Sequence, residues 1–196
     1  MKQLIPELYS NLNLNQALKV MMRKTKNSFS KTYYPCSGTD TSVADALKLR
    51  NVVHIDKVQL VVDLMKNHNL NAFCCDVVKY RPGRMFDLIV LVNSQLNEEK
   101  ISKIMSKLKI GGYVLCGDSY LEASSVKKLR NFEIKAIIRK NSQDNVLIKD
   151  GVLIWDEMDT DSYWRKFRHE LAYDASGNLN PGSDNFFVFE KKFNSN

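Results

Sequence analysis

Apolar positions along this chain switch between a helical and a β-type period. Between residues 7 and 27, Leu8, Leu12, Leu14, Ala17, Leu18, Met21 and Met22 keep a mostly helical spacing, which predicts one or two helices ahead of the first strand. Thr32 to Pro35 reads as that strand and Ser42 to Leu49 as a short helix, and Asn51-Val52-Val53-His54-Ile55 is a β-rich run that stops at Asp56. Val58, Leu60, Val61, Leu64 and Met65 predict the buried stripe of the next helix. Asn71-Ala72-Phe73-Cys74-Cys75 follows as a third strand, closed by Asp76. A Pro82-Gly83 turn then leads into Phe86-Asp87-Leu88-Ile89-Val90-Leu91-Val92, whose near-continuous apolar character is what a strand covered on both faces requires. Glu98 to Leu108 predicts an amphipathic helix ended by Gly111-Gly112, and Tyr113 to Gly117 a fifth strand that closes at Asp118.

Strands alternating with helices imply a doubly wound, mostly parallel α/β sheet, with its ligand beyond the carboxyl ends of the strands. Asp56, Asp76 and Asp118 all fall there. After a short helix near Leu121 to Leu129 the pattern changes. Phe132 to Arg139, Val146 to Trp155 and Phe186 to Lys192 are β-rich with no long crossover helix between them, so the sheet should finish antiparallel. Asp174 to Asn185, rich in Gly, Asn, Ser and Asp, reads as a long loop or lid. The organisation expected is one domain over 1–196: a helical extension (1–30), a ligand-binding core (31–140), and antiparallel strands with a substrate loop (141–196).

Composition narrows this further. A chain of 196 residues with 44% apolar content suits one domain with a sizeable core. No apolar run approaches the roughly 20 residues of a membrane span, and the N-terminus lacks the apolar core of a secretory signal, so a cytoplasmic location and no membrane partner are expected. Cys36, Cys74, Cys75 and Cys116 form no C-x-x-C pair and have no His at zinc-like spacing, which fits reduced thiols and no metal. The net charge of +7 suits an anionic partner such as RNA. Against that, Lys100, Lys103, Lys107 and Lys109 read as the solvated face of one helix, which would leave the charge spread out.

The most informative stretch is Tyr33-Tyr34-Pro35-Cys36-Ser37-Gly38-Thr39-Asp40, which joins a strand to a helix ahead of Asp56. In a βαβ unit such a loop brings backbone N–H groups to a ligand, while the carboxylate closing the next strand can accept both hydroxyls of a ribose. Asp56 could instead merely cap the helix after it, the lesser of the two readings. Cys36 reads as a small packing residue, with no base placed beside it.

Taken together, the Tyr-Pro-Cys-Ser-Gly-Thr-Asp loop, Asp56, Asp76, the Phe-Asp-Leu-Ile-Val strand and Leu108-Lys109-Ile110-Gly111-Gly112-Tyr113-Val114 resemble the class I S-adenosylmethionine-dependent methyltransferases. That resemblance implies a seven-stranded sheet with an antiparallel closing strand and S-adenosyl-L-methionine as cofactor. It would set Tyr34, Pro35, Cys36, Ser37 and Gly38 against the methionine part, Asp56 with Lys57 at the ribose, Asp76 with Val77 at the adenine, and Asn93 and Ser94 at the border of the transfer site. The chain departs from the family's pattern at Cys36 and Thr39, where many members have glycine. It departs again at Asn93-Ser94-Gln95-Leu96, where nucleic-acid amino-methyltransferases carry Asn or Asp, Pro-Pro and an aromatic. The acceptor implied is a small-molecule, RNA or protein nucleophile. Asp118 and His169 are unassigned candidates for a base, and Trp164 to Arg168 for substrate selection. A non-enzymatic binding protein that keeps the fold is the second reading. A nicotinamide oxidoreductase is the third, and for that the three spaced glycines of a dinucleotide fingerprint are missing.

Overall fold

The computed structural model describes residues 7–47, 51–92, 94, 96–118, 126, 129–139 and 183–193. Helix α1 (Leu12–Thr25) precedes β1 (Thr32–Pro35), α2 (Ser42–Leu47), β2 (Val52–Asp56), α3 (Gln59–Asn67), β3 (Ala72–Cys74), β4 (Phe86–Val92), α4 (Glu98–Met105), β5 (Leu108–Asp118), β6 (Phe132–Arg139) and β7 (Ser183–Lys191). Among the described residues the strands form one seven-stranded sheet in the order β3-β2-β1-β4-β5-β7-β6. The first five are parallel, while β7 runs antiparallel between β5 and β6. The Val146 to Trp155 run, the loop from Asp174 to Gly182, Asn93 and His169 lie outside the described residues, as does most of the helix expected near Leu121.

Both faces of the sheet are covered. On one, Leu14, Leu18 and Met21 of α1, Val43 of α2 and Val62 and Met65 of α3 pack with Val52, Val90 and Val188. On the other, Ile101, Ile104 and Met105 of α4 pack with Ile55, Ile89, Leu91 and Val114. Adjacent β4 residues therefore serve opposite cores, which is why the run carries no polar alternation: its last five residues are all 0–1% exposed. Asn11 starts α1 by accepting the Leu14 N–H, and Asn97 starts α4 by accepting the Lys100 N–H.

Four local expectations are corrected. Leu12 opens α1 on its solvent side and is 77% exposed. Val58 and Leu60 are also exposed, because α3 begins after Val58 and buries Val62 together with the expected Met65. Gly111-Gly112 does not end α4, which stops at Met105; the pair lies inside β5, where the register against β4 jumps from Phe86↔Leu108 to Leu88↔Tyr113. Gly111 takes φ +72°, and a Cβ on Gly112 would stand 2.8 Å from the Leu108 side chain, so this irregular strand start needs both glycines. Lys107 is not on a solvated helix face. It is 6% exposed, in the turn between α4 and β5.

Candidate functional site

Parallel pairing of β1, β2 and β3 sets their carboxyl ends side by side, and backbone bonds join them. Cys36 N–H donates to Ile55 O at 2.8 Å, and Cys75 N–H to Asp56 O at 3.0 Å. The β1–α2 loop turns sharply because Cys36 and Gly38 both take φ 54°. For cysteine that left-handed conformation is strained, whereas for glycine it is free. A Cβ on Gly38 would meet nothing within 4 Å, so the loop presents backbone to open space there.

Asp56 ties the loop to the next element. Its Oδ2 accepts the Gly38 N–H at 3.1 Å and its Oδ1 the Val58 N–H at 2.9 Å. This is a two-residue side-chain turn and not a helix cap, since the N-cap of α3 is Val58. A carboxylate offers about four lone-pair sites, so each oxygen keeps one for a ligand hydroxyl. Lys57 beside it is exposed. At the end of β3, Asp76 Oδ1 accepts the Val78 N–H at 2.8 Å, and this bond holds its carboxyl below the usual carboxylate range.

Not every predicted residue offers its side chain to this edge. The Tyr34 hydroxyl donates to Asp40 Oδ2 at 2.8 Å within the core, and Pro35 is buried. Ser37 is 4% exposed, with its hydroxyl 3.9 Å from Met65 Sδ. Val77 is buried too, and its carbonyl accepts from Tyr33 Oη at 2.8 Å and Lys107 Nζ at 2.6 Å. The structure thus brings together the Cys36–Gly38 backbone, Asp56 and Asp76, and keeps the Tyr34, Ser37 and Val77 side chains as supports. Ser94, half-buried, follows β4, and Asp118 is the last residue of β5.

Two residues that support this edge had gone unassigned. Asp40, 1% exposed, accepts from the Tyr34 hydroxyl and from both the N–H and hydroxyl of Ser42, and so fixes the loop where α2 begins. Its signal was legible as Asp-Thr-Ser at a helix start. Tyr9 straps the loop from outside: its N–H donates to Thr39 O at 3.1 Å and its carbonyl accepts the Thr41 N–H at 2.9 Å. Among the described residues no group of three or more His, Cys, Asp or Glu could hold a metal ion, and no helix is long and apolar enough to cross a membrane.

No protein-family model and no curated protein matches the sequence. Solved structures do match the fold. N-methyltransferase NodS from Bradyrhizobium japonicum WM9 aligns over 93% of this chain and 99% of its own at 8% identity, with TM-score 0.56. StiE O-MT aligns over 92% of this chain and 74% of its own at 12% identity, with TM-score 0.56. The plantazolicin methyltransferase BpumL, solved with a pentazolic desmethylPZN analog and SAH, aligns over 92% and 85% at 11% identity, with TM-score 0.56. The chain has the class I methyltransferase fold, with β7 as its antiparallel strand.

Proposed function

We propose that the protein is an S-adenosylmethionine-dependent methyltransferase that binds its cofactor along the carboxyl ends of β1 to β3 and methylates a small-molecule, RNA or protein nucleophile. The observation that carries this reading is the junction of the open Gly38 turn with the Asp56 carboxylate. Backbone at Cys36 to Gly38 lies against the methionine part, with Tyr34, Pro35 and Ser37 packed beneath it as support. Asp56 accepts the ribose hydroxyls with the lone pairs that Gly38 and Val58 leave, and Lys57 flanks it. Asp76 and the Val77 backbone face the adenine; Asn93 and Ser94 border the acceptor. S-adenosylmethionine supplies an activated methyl sulfonium, so the chain has chiefly to orient a nucleophile and exclude water. NodS and BpumL have both been solved with S-adenosylhomocysteine, which supports that cofactor here.

The second reading, a binding protein that keeps the fold without catalysis, is favoured by one observation. Cys36 holds φ 54° with a side chain where a glycine would let ligand approach more closely. A thermal-shift screen against S-adenosylmethionine, S-adenosylhomocysteine and NAD tests the cofactor. At about 100 times Kd a ligand adds about 2.7 kcal/mol, or roughly 5–10 °C of Tm for a domain of this size. A shift with the two sulfur compounds and none with NAD is expected. A shift with NAD alone contradicts the proposal.

A further inference from the structure

Part of the +7 charge gathers on the segment that continues from Asp76 and Val77, beside the candidate cofactor edge. Residues 75–85 link β3 to β4 without a helix and expose Arg81, Arg84 and Met85 around the Pro82-Gly83 turn. The segment is firmly held. Asp76 O accepts the Lys79 and Tyr80 N–H groups at 2.9 and 3.1 Å, and Arg81 Nη1 donates to Val78 O at 2.9 Å. Lys31 Nζ donates to Arg84 O at 2.9 Å, and Lys107 Nζ to Val77 O at 2.6 Å. Arg81, Lys31 and Lys107 thus donate to carbonyls, and neither they nor Arg84 make an ion pair with a described carboxylate. The nearby Asp87 is instead taken by Lys109, at 2.6 Å.

The cations also repel one another. Burial first, then Arg84, holds Lys31 below its usual value, with Asp87 opposing. Burial first, then Arg81, takes Lys107 down to about 8, with Cys75 and Asp76 opposing. Like charges held together with only partial counter-charge form a surface that an anion relieves. Aromatic rings lie between them. Tyr80 stands 5.6 Å from Phe73, which is 42% exposed, and stacks at 5.7 Å on Tyr33, while Lys31 Nζ lies 4.9 Å over Phe86. The strip runs from Phe73 on the edge strand to Arg84 and Lys31 where β4 begins. The seven residues of β4 span about 20 Å, more than one small anion could use.

We propose that Phe73, Tyr80, Arg81, Arg84 and Lys31 form a docking strip for a single-stranded nucleic acid, the cations following its phosphates and Phe73 with Tyr80 stacking a base, with the buried Lys107 holding the segment beneath them. The strip goes beyond the methyl-transfer reading and does not depend on it. Interleaved rings separate this partner from an acidic membrane, which needs charge and apolar insertion but no ring faces.

The test is fluorescence anisotropy of the full chain with a labelled single-stranded RNA of about 12 nucleotides, titrated across salt from about 50 mM upward. Arg81→Ala/Arg84→Ala should weaken binding about tenfold or more and flatten the log–log salt slope by about 1.4, at about 0.7 per phosphate lost. Phe73→Ala should weaken it about fivefold with the slope unchanged, the mark of stacking. Lys19→Ala/Lys66→Ala removes the same charge from exposed positions on α1 and α3 and should leave affinity within about twofold. Circular dichroism should show every variant folded. No RNA binding by the wild type, equal losses in the two double variants, or arginine-dependent binding to phosphatidylserine vesicles in place of RNA would overturn the proposal.

Discussion

Replacing His54 with leucine should flatten the acid limb of this protein's stability. His54 lies in β2, opposite Tyr34 on one side and Ala72 on the other, and is 1% exposed. Neither ring nitrogen finds a hydrogen-bond partner among the described residues, and the nearest ring, Tyr34, is 5.7 Å away at a tilt of 51°. Burial takes its pKa from 6.5 to about 4, with Asp45 opposing weakly. The fold therefore favours the neutral imidazole, and between those two values the unfolded chain binds more protons. Stability from this residue is fully present above about pH 6.5 and is lost as pH falls towards 4. At about 1.36 kcal/mol per unit the loss reaches about 3 kcal/mol, of which about 2.5 is gone by pH 4.5. For a domain of this size that is roughly 5–10 °C in Tm. Thermal unfolding of wild type and His54→Leu from pH 7.5 to 4.5 isolates the effect, because carboxylates that also weaken the fold in acid cancel in the difference. The variant should also be the more stable at neutral pH, having lost two buried polar atoms without partners. Parallel pH curves for the two proteins would refute the reasoning.

Three further outcomes follow from particular contacts. Gly117→Ala should destabilise by about 1–3 kcal/mol in denaturant unfolding, because a Cβ there would stand 2.5 Å from the fully buried Phe186 ring. Wild type should gain stability relative to Lys107→Met as pH rises from 8 towards 10.5, since the buried ammonium titrates at about 8 in the fold and at 10.5 in the unfolded chain; constant difference across that range in urea titrations would remove the effect. Saturating S-adenosylhomocysteine should slow alkylation of Cys36, read by mass spectrometry of the labelled peptide, and an unchanged rate would place the ligand away from the β1 loop.

Strand ends were legible because their signals are local. The near-continuous apolar run of β4 and the acids that close the β2 and β3 runs needed no tertiary knowledge. Lys107 was misread because Lys100, Lys103 and Lys107 keep a helical spacing, while the chain leaves the helix at Met105 and turns the last of them inward. His54 carries no such cue. One histidine in a β-rich run says nothing of its partners, and only the packing of α1 to α3 over that face removes them. Gly111-Gly112 was visible as a breaker but not as the irregular start of a strand, since which element it interrupts depends on pairing with β4. The count of seven strands came from the family resemblance, and their order was not legible, because periodicity does not encode which strands pair. The site divides in the same way: Asp56 and Gly38 could be picked out singly, but the bond between them could not.

Cofactor binding at the Gly38–Asp56 junction is open to one direct measurement. Calorimetric titration of S-adenosylhomocysteine into wild type and Asp56→Ala, after circular dichroism shows both folded, supplies it. Saturable binding by wild type is predicted, weakened in the variant by about 1.5–3 kcal/mol, the scale of hydrogen bonds to a charged group. Equal affinity in the two proteins would remove Asp56 from the site, and absence of binding to the wild type would contradict the cofactor assignment itself.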